Sequence, residues 1–145
     1  MKKYTDLTEL EQYKIKNHIG NLFYLAHVDG KFSKSEAEAI LKICERYGIN
    51  RQDINEMLKS SEMKIQAIIP SDTIERLEQI FDFITLIVAD GSINIKELMI
   101  CKQLAGLLHI NKKNLNNLIL SVVELIEEGK SFYEVKEDLY TMVNE

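Results

Sequence analysis

The chain has one proline and six glycines in 145 residues. That leaves few breaks for strands and hairpins, so the composition points to helices. Arginine is scarce, three residues against fifteen lysines, and planar forks for bidentate phosphate recognition are correspondingly few. The net charge of −5 argues against a nucleic-acid backbone as the main ligand, because such binding needs clustered cationic charge. Cys44 and Cys101 are the only cysteines, with neither a CxxC spacing nor a paired histidine. They read as buried, reduced thiols inside helices. The amino-terminal MKKYTDLTELEQ has no apolar core of a signal peptide. The apolar run around Phe81–Ala89 is far short of the about 20 residues that span a bilayer. A cytoplasmic protein with no membrane span is expected. GxSxG, phosphate-cradling glycine loops and Cys-His arrangements are all missing, so no enzyme is expected.

What is present is the balance of an ordinary folded domain, 46% apolar and 28% charged, read as a single unit over 1–145. Capped helical stripes fill it. Thr8-x-x-Glu11 opens a helix from about 9 to 28 with Ile15, Ile19, Leu22 and Ala26 on one face. Ser33-x-x-Glu36 opens a second, with Ala37, Ile40, Ile43, Cys44 and Tyr47 inward, ending at Gly48. Asn50 caps a shorter third helix carrying Ile54, Met57 and Leu58, and SEMKIQAIIP reads as a short helix closed by Pro70. Ser71 or Asp72 begins a fifth helix to Val88, whose apolar residues crowd several faces and predict the most central position. Asn94, Asn111 and Ser131 start three more, with stripes including Leu98, Cys101, Leu104 and Leu108, then Leu115, Leu118 and Val122, then Val135, Leu139 and Met142. No segment alternates as a strand. The expectation is an all-α domain of about seven to eight helices.

A shift of 61 residues superimposes the two halves, about 10–60 on 71–128. Ile49-Asn50 falls on Ile110-Asn111, Asn55 on Asn116, Ile43 on Leu104 and Ile54 on Leu115. The pattern reads as a duplication of a helical unit. Each half alone has too little core, so the two should fold together.

The repeat is sharpest in HVDGKFSKSE, His27–Glu36, and VADGSINIKE, Val88–Glu97, which share Asp-Gly-x-[Phe/Ile]-[Ser/Asn]-x-x-Glu. Much of it reads as helix punctuation. Gly30 and Gly91 suit a left-handed helix end, Ser33 and Asn94 suit amino-terminal caps, and Glu36 and Glu97 suit the third position of a capping box. Asp29 and Asp90 are less comfortable, because the carboxyl end of a helix disfavours negative charge. Either each bonds to the loop amides two and three residues on, or each shares a divalent cation with the glutamate seven residues later. An EF-hand is excluded, since counting from Asp29 puts Lys31, Ser33 and Ile40 at ligand positions. His18, His27 and His109 show no zinc spacing. His27 reads as a helix-end residue favoured by the dipole and a weak candidate ligand.

Two copies of a helix ending in this motif, each followed by a helix, a Gly or His, Ile-Asn and another helix, resemble the TerB-like tellurite-resistance family. VADGSINIKE is the closer match, and HVDGKFSKSE departs from it at His27 and Val28. The resemblance covers roughly residues 10–128. It implies an all-helical domain linked to resistance to tellurite and other stresses. It further implies a divalent cation, calcium or magnesium, at Asp29, Glu36, Asp90 and Glu97. No tellurium chemistry follows from it. The reading reached is a non-catalytic interaction or sensing domain with another protein as partner, the alternative being a structural interaction scaffold without metal.

Overall fold

The helix with the most continuous apolar coat, Thr73–Ile87, touches each of the five other α-helices delimited among the described residues. In a computed structural model that describes residues 4–28, 32–54 and 70–143, a short 3-10 turn at Tyr4–Asp6 leads into α1 (Glu9–His27) and α2 (Lys34–Arg46). A helical turn follows at 51–54. The central helix is α3 (Thr73–Ile87), followed by α4 (Ile95–Leu107), α5 (Lys112–Glu127) and α6 (Phe132–Val143). The described residues contain no strand. The expected remainder of the third helix, with Met57 and Leu58, and the expected helix in SEMKIQAIIP lie outside the described residues.

Caps set the boundaries. Thr8 and Ser33 each form a reciprocal box with Glu11 and Glu36, satisfying amides that the first helical turn leaves without partners. Asp72, Asn94 and Asn111 accept from the opening amides of α3, α4 and α5. Ser131 differs from expectation. Its hydroxyl donates to Glu134 Oε1 at 3.2 Å, and its amide bonds the same oxygen at 3.3 Å. The glutamate thus reaches back and holds both groups of the serine.

The carboxyl ends of α2 and α4 close alike. Gly48 and His109 have φ of 77° and 64°, and the next residues, Ile49 and Ile110, donate to Cys44 and Ala105 carbonyls. This is the left-handed cap that glycine adopts freely and histidine only under strain. Ile49 and Ile110 are both buried.

α1 packs against α2, α3 and α4, α2 also meets α3, α4 also meets α3 and α5, and α6 lies against α3 and α5. The core comprises Ile19, Leu22, Leu25 and Ile40 from the first helices, with Leu77, Phe83, Leu86, Leu104 and Leu118 from the later ones. Cys44 and Cys101 are free and fully buried in it, and burial pushes both thiols up to about 12. Phe132, not expected inward, is buried edge-on against Phe81 at 5.7 Å.

Candidate functional site

Only part of the repeated motif falls within the described residues; Asp29, Gly30 and Lys31 lie outside them. Of the carboxylates predicted as a set, Glu36 and Glu97 are 3% and 4% exposed, while Asp90 is exposed. Glu36 Oε1 accepts from the Ser33 amide at 3.2 Å. The other oxygen, Oε2, is buried without a hydrogen-bond partner. Glu97 occupies the matching third position of α4, and its amide donates to Asn94 Oδ1 at 3.2 Å. Asp90 Oδ1 accepts from the Ser92 amide at 3.2 Å and the Ser92 hydroxyl at 3.3 Å. That is the Asx-type bond to the loop that offsets a charge at a helix carboxyl end.

Among the described residues no three His, Cys, Asp or Glu side chains gather closely enough to hold a metal ion. Glu36, Asp90 and Glu97 therefore do not form one cluster. His27 is also accounted for. Its Nδ1 donates to the Phe23 carbonyl at 2.8 Å, and its ring stacks on Phe32 at 4.5 Å.

Among the described residues a buried charge cluster lies elsewhere, where α1, α2 and α3 meet. Asp82 is 0% exposed in the middle of α3. Arg46, from the last turn of α2, donates to both of its oxygens at 2.8 and 2.6 Å. His18 of α1, 1% exposed, donates from Nε2 to Oδ2 at 2.8 Å. The Tyr47 hydroxyl stands 3.5 Å from the same oxygen, with the Arg46 guanidinium 4.9 Å above its ring. Glu78, one turn before Asp82, lies 3.6 Å from Arg46 Nε.

Burial alone would raise the Asp82 carboxyl, but the bonds from His18 and Arg46 outweigh it and hold the group below its usual range. Burial raises Glu78, with Arg46 only partly opposing it. It also lifts the Tyr47 hydroxyl, helped by the charge of Asp82. The cluster is an ion pair fixed at both oxygens, and it ties three helices together.

Two depressions flank the cluster. On one side Arg46 and Asp82 form the floor of an open groove of about 590 Å³ between α2, α3 and the start of α6, walled by Ile43, Phe81, Val88 and Phe132. On the other, His18, Tyr47 and Glu78 border a smaller one of about 230 Å³. His18 Nδ1 is buried without a partner.

The Asp82 cluster was not foreseen from the sequence, although it left a signal there. Asp82 is the one charged residue in the apolar stretch Ile80–Ala89. An acid in a helix buried on every side demands a cation from a neighbour. No protein-family model, curated protein or solved structure matches the chain. Among the described residues no helix is long and apolar enough to cross a membrane.

Proposed function

We propose that this chain is a non-catalytic protein-interaction domain of the TerB-like type, built by duplication of a helical unit, whose repeated Asp-Gly motif is helix punctuation. The observation that carries the interaction reading is the groove between α2, α3 and α6. Its walls are largely apolar, and it exposes the edge of a fixed ion pair that can orient a partner. Duplication is supported by the matching spans of α2 and α4, offset by 61 residues at both ends, and by the shared left-handed caps at Gly48 and His109. The packing partners also interchange. α2 meets α3 as α4 meets α1, and α1–α2 corresponds to α3–α4. Punctuation is supported by the Ser33–Glu36 box and the Asp90–Ser92 bonds. A role in tellurite or other stress resistance belongs to the same proposal and rests on the motif resemblance alone.

The test is site-specific photo-crosslinking in the native host. A benzoyl-phenylalanine at Thr85, inside the groove, should give a discrete protein adduct, whereas one at Lys16 should not. Equal labelling from both positions, or none, would discard the groove as the binding surface.

One observation favours a second reading, a divalent cation at the first motif. Glu36 Oε2 is a buried carboxylate oxygen with no hydrogen-bond partner, and such oxygens are ligands for calcium or magnesium. Calcium and magnesium titrations followed by amide NMR decide it. Shifts at 28–36 that disappear in Asp29→Asn would establish the cation, and unchanged spectra would dismiss it.

A further inference from the structure

The outer face of α4 is apolar where that of α2 is charged. Ile95 and Met99 stand one turn apart, 74% and 58% exposed, on the side away from Cys101, Leu104 and Ala105. Ile93, just before the helix, is also exposed. With about 100° between successive residues, Lys96 and Lys102 fall on opposite flanks of this stripe, and both are exposed. Gly106 continues the stripe, and the space where its Cβ would stand is open. Sixty-one residues earlier, α2 places Lys34 and Glu38 where α4 has Ile95 and Met99. The helix architecture therefore does not require an apolar outer face here.

On α4 itself the exposed charges have one sign, while Asp90 is exposed in the loop that leads into it. Between Gly91 and Val123 the acid Glu97 is buried, and the exposed charges are Lys96, Lys102, Lys112 and Lys113. This occurs in a chain whose net charge is −5. We propose that this face binds an acidic amphipathic helix of a partner protein. The apolar seam of that helix covers Ile93, Ile95 and Met99, and its flanking carboxylates meet Lys96 and Lys102. A narrow seam edged by charge is the pattern by which one helix recognises another. A bilayer surface fits less well, because interfacial helices offer a broad apolar face carrying Trp or Phe, and the outer face of α4 has no aromatic residue. A second copy fits less well too, since pairing two such faces sets lysine against lysine. The proposal rests on the reading of the chain as an interaction domain.

The test uses the whole ¹⁵N-labelled chain and a synthetic helical peptide with a leucine seam flanked by glutamates. A lysine-flanked isomer and phosphatidylglycerol vesicles serve as comparisons. The glutamate peptide should shift the amides of 93–103. Met99→Glu, at a site already exposed, should keep the native melting temperature while weakening binding about tenfold, as should Lys102→Glu. Raising the salt should weaken binding further. Equal binding of the lysine isomer, absence of shifts, or shifts produced only by vesicles or by self-association would each overturn the assignment. Shifts confined to the α2–α3–α6 groove would overturn it as well, yet leave the interaction reading standing.

Discussion

On the proposed duplication, Asp82 and Asn21 are matching positions, 61 residues apart, and their neighbourhoods differ in charge. Around Asp82 stand His18, Arg46, Tyr47 and Glu78. Sixty-one residues away, Asn21 answers to Asp82, Gln79 to His18, Leu107 to Arg46, Leu108 to Tyr47 and Asn17 to Glu78. Asn17 and Asn21 are buried. The first junction is held by charge, whereas the matching positions are neutral, with Asn17, Asn21 and Leu108 buried and Leu107 exposed. A buried ion pair gains its Coulomb attraction only after heavy desolvation, so its net contribution can be small even though each partner depends on the other. The neutral junction has no such debt. If the halves are duplicates, as proposed, the architecture does not require the ions, although once Arg46 is present the loss of Asp82 alone leaves it without that anion.

The largest effect should come from breaking the charged junction on one side. Asp82→Asn, which copies the residue at 21, leaves Arg46 and His18 buried without their anion and should cost about 3–5 kcal/mol. Urea denaturation measures it, and a loss below about 1 kcal/mol would mean that the cluster relaxes into water. Converting the whole junction sharpens the comparison. His18→Gln, Arg46→Leu and Asp82→Asn together should recover most of that loss, because replacing an entire buried ion pair by neutral groups is often close to neutral. A triple variant as unstable as the single one would show that the two junctions are not interchangeable.

Acidification tests the same junction without mutation. The Asp82 carboxyl titrates lower in the folded protein than its ordinary value, so on acidification the unfolded chain takes up the proton first. Its contribution is therefore present above about 3.9 and lost as pH falls through the folded value. Glu78 is raised and acts in the opposite sense, favouring the fold as pH falls through its own higher range. Stability followed by urea melts from pH 7 to pH 3 should drop steeply at the acid end in the native chain and less so in Asp82→Asn.

Smaller effects separate the repeated caps. Ser33→Ala and Asn94→Ala should each cost about 1 kcal/mol, read from denaturant midpoints. The smallest change should be a gain. His109→Gly, matching Gly48, removes a side chain from a left-handed conformation and should stabilise by about 0.5–1 kcal/mol. Gly48→Ala should lose a similar amount, and an unchanged midpoint in either would put the cap strain elsewhere.

The helices were legible because their signals are local. Thr8, Ser33, Asn94 and Asn111 cap where their spacing places them, and the crowded faces of Phe81–Ala89 foretold the helix that meets α1, α2, α4, α5 and α6. The candidate site was legible only in part. Bonds from Asp90 to Ser92 follow from a short loop, whereas the meeting of His18, Arg46 and Asp82 joins residues 64 and 36 positions apart. Periodicity assigns each of them to a helix face but not to a neighbour. Phe132 shows the same limit, since its place beside Phe81 is decided by how α6 returns to α3.

The two buried cysteines give each half its own reporter. Cys44 sits in α2 and Cys101 in α4, both fully enclosed and both with thiols held up at about 12. A thiol in that state cannot act as a nucleophile until its helix lets solvent in. Alkylation of each sulfur, followed by mass spectrometry under native conditions, therefore clocks the opening of its own half. Equal rates would describe a bundle that breathes as one body. A faster Cys44 or Cys101 would name the half that loosens first.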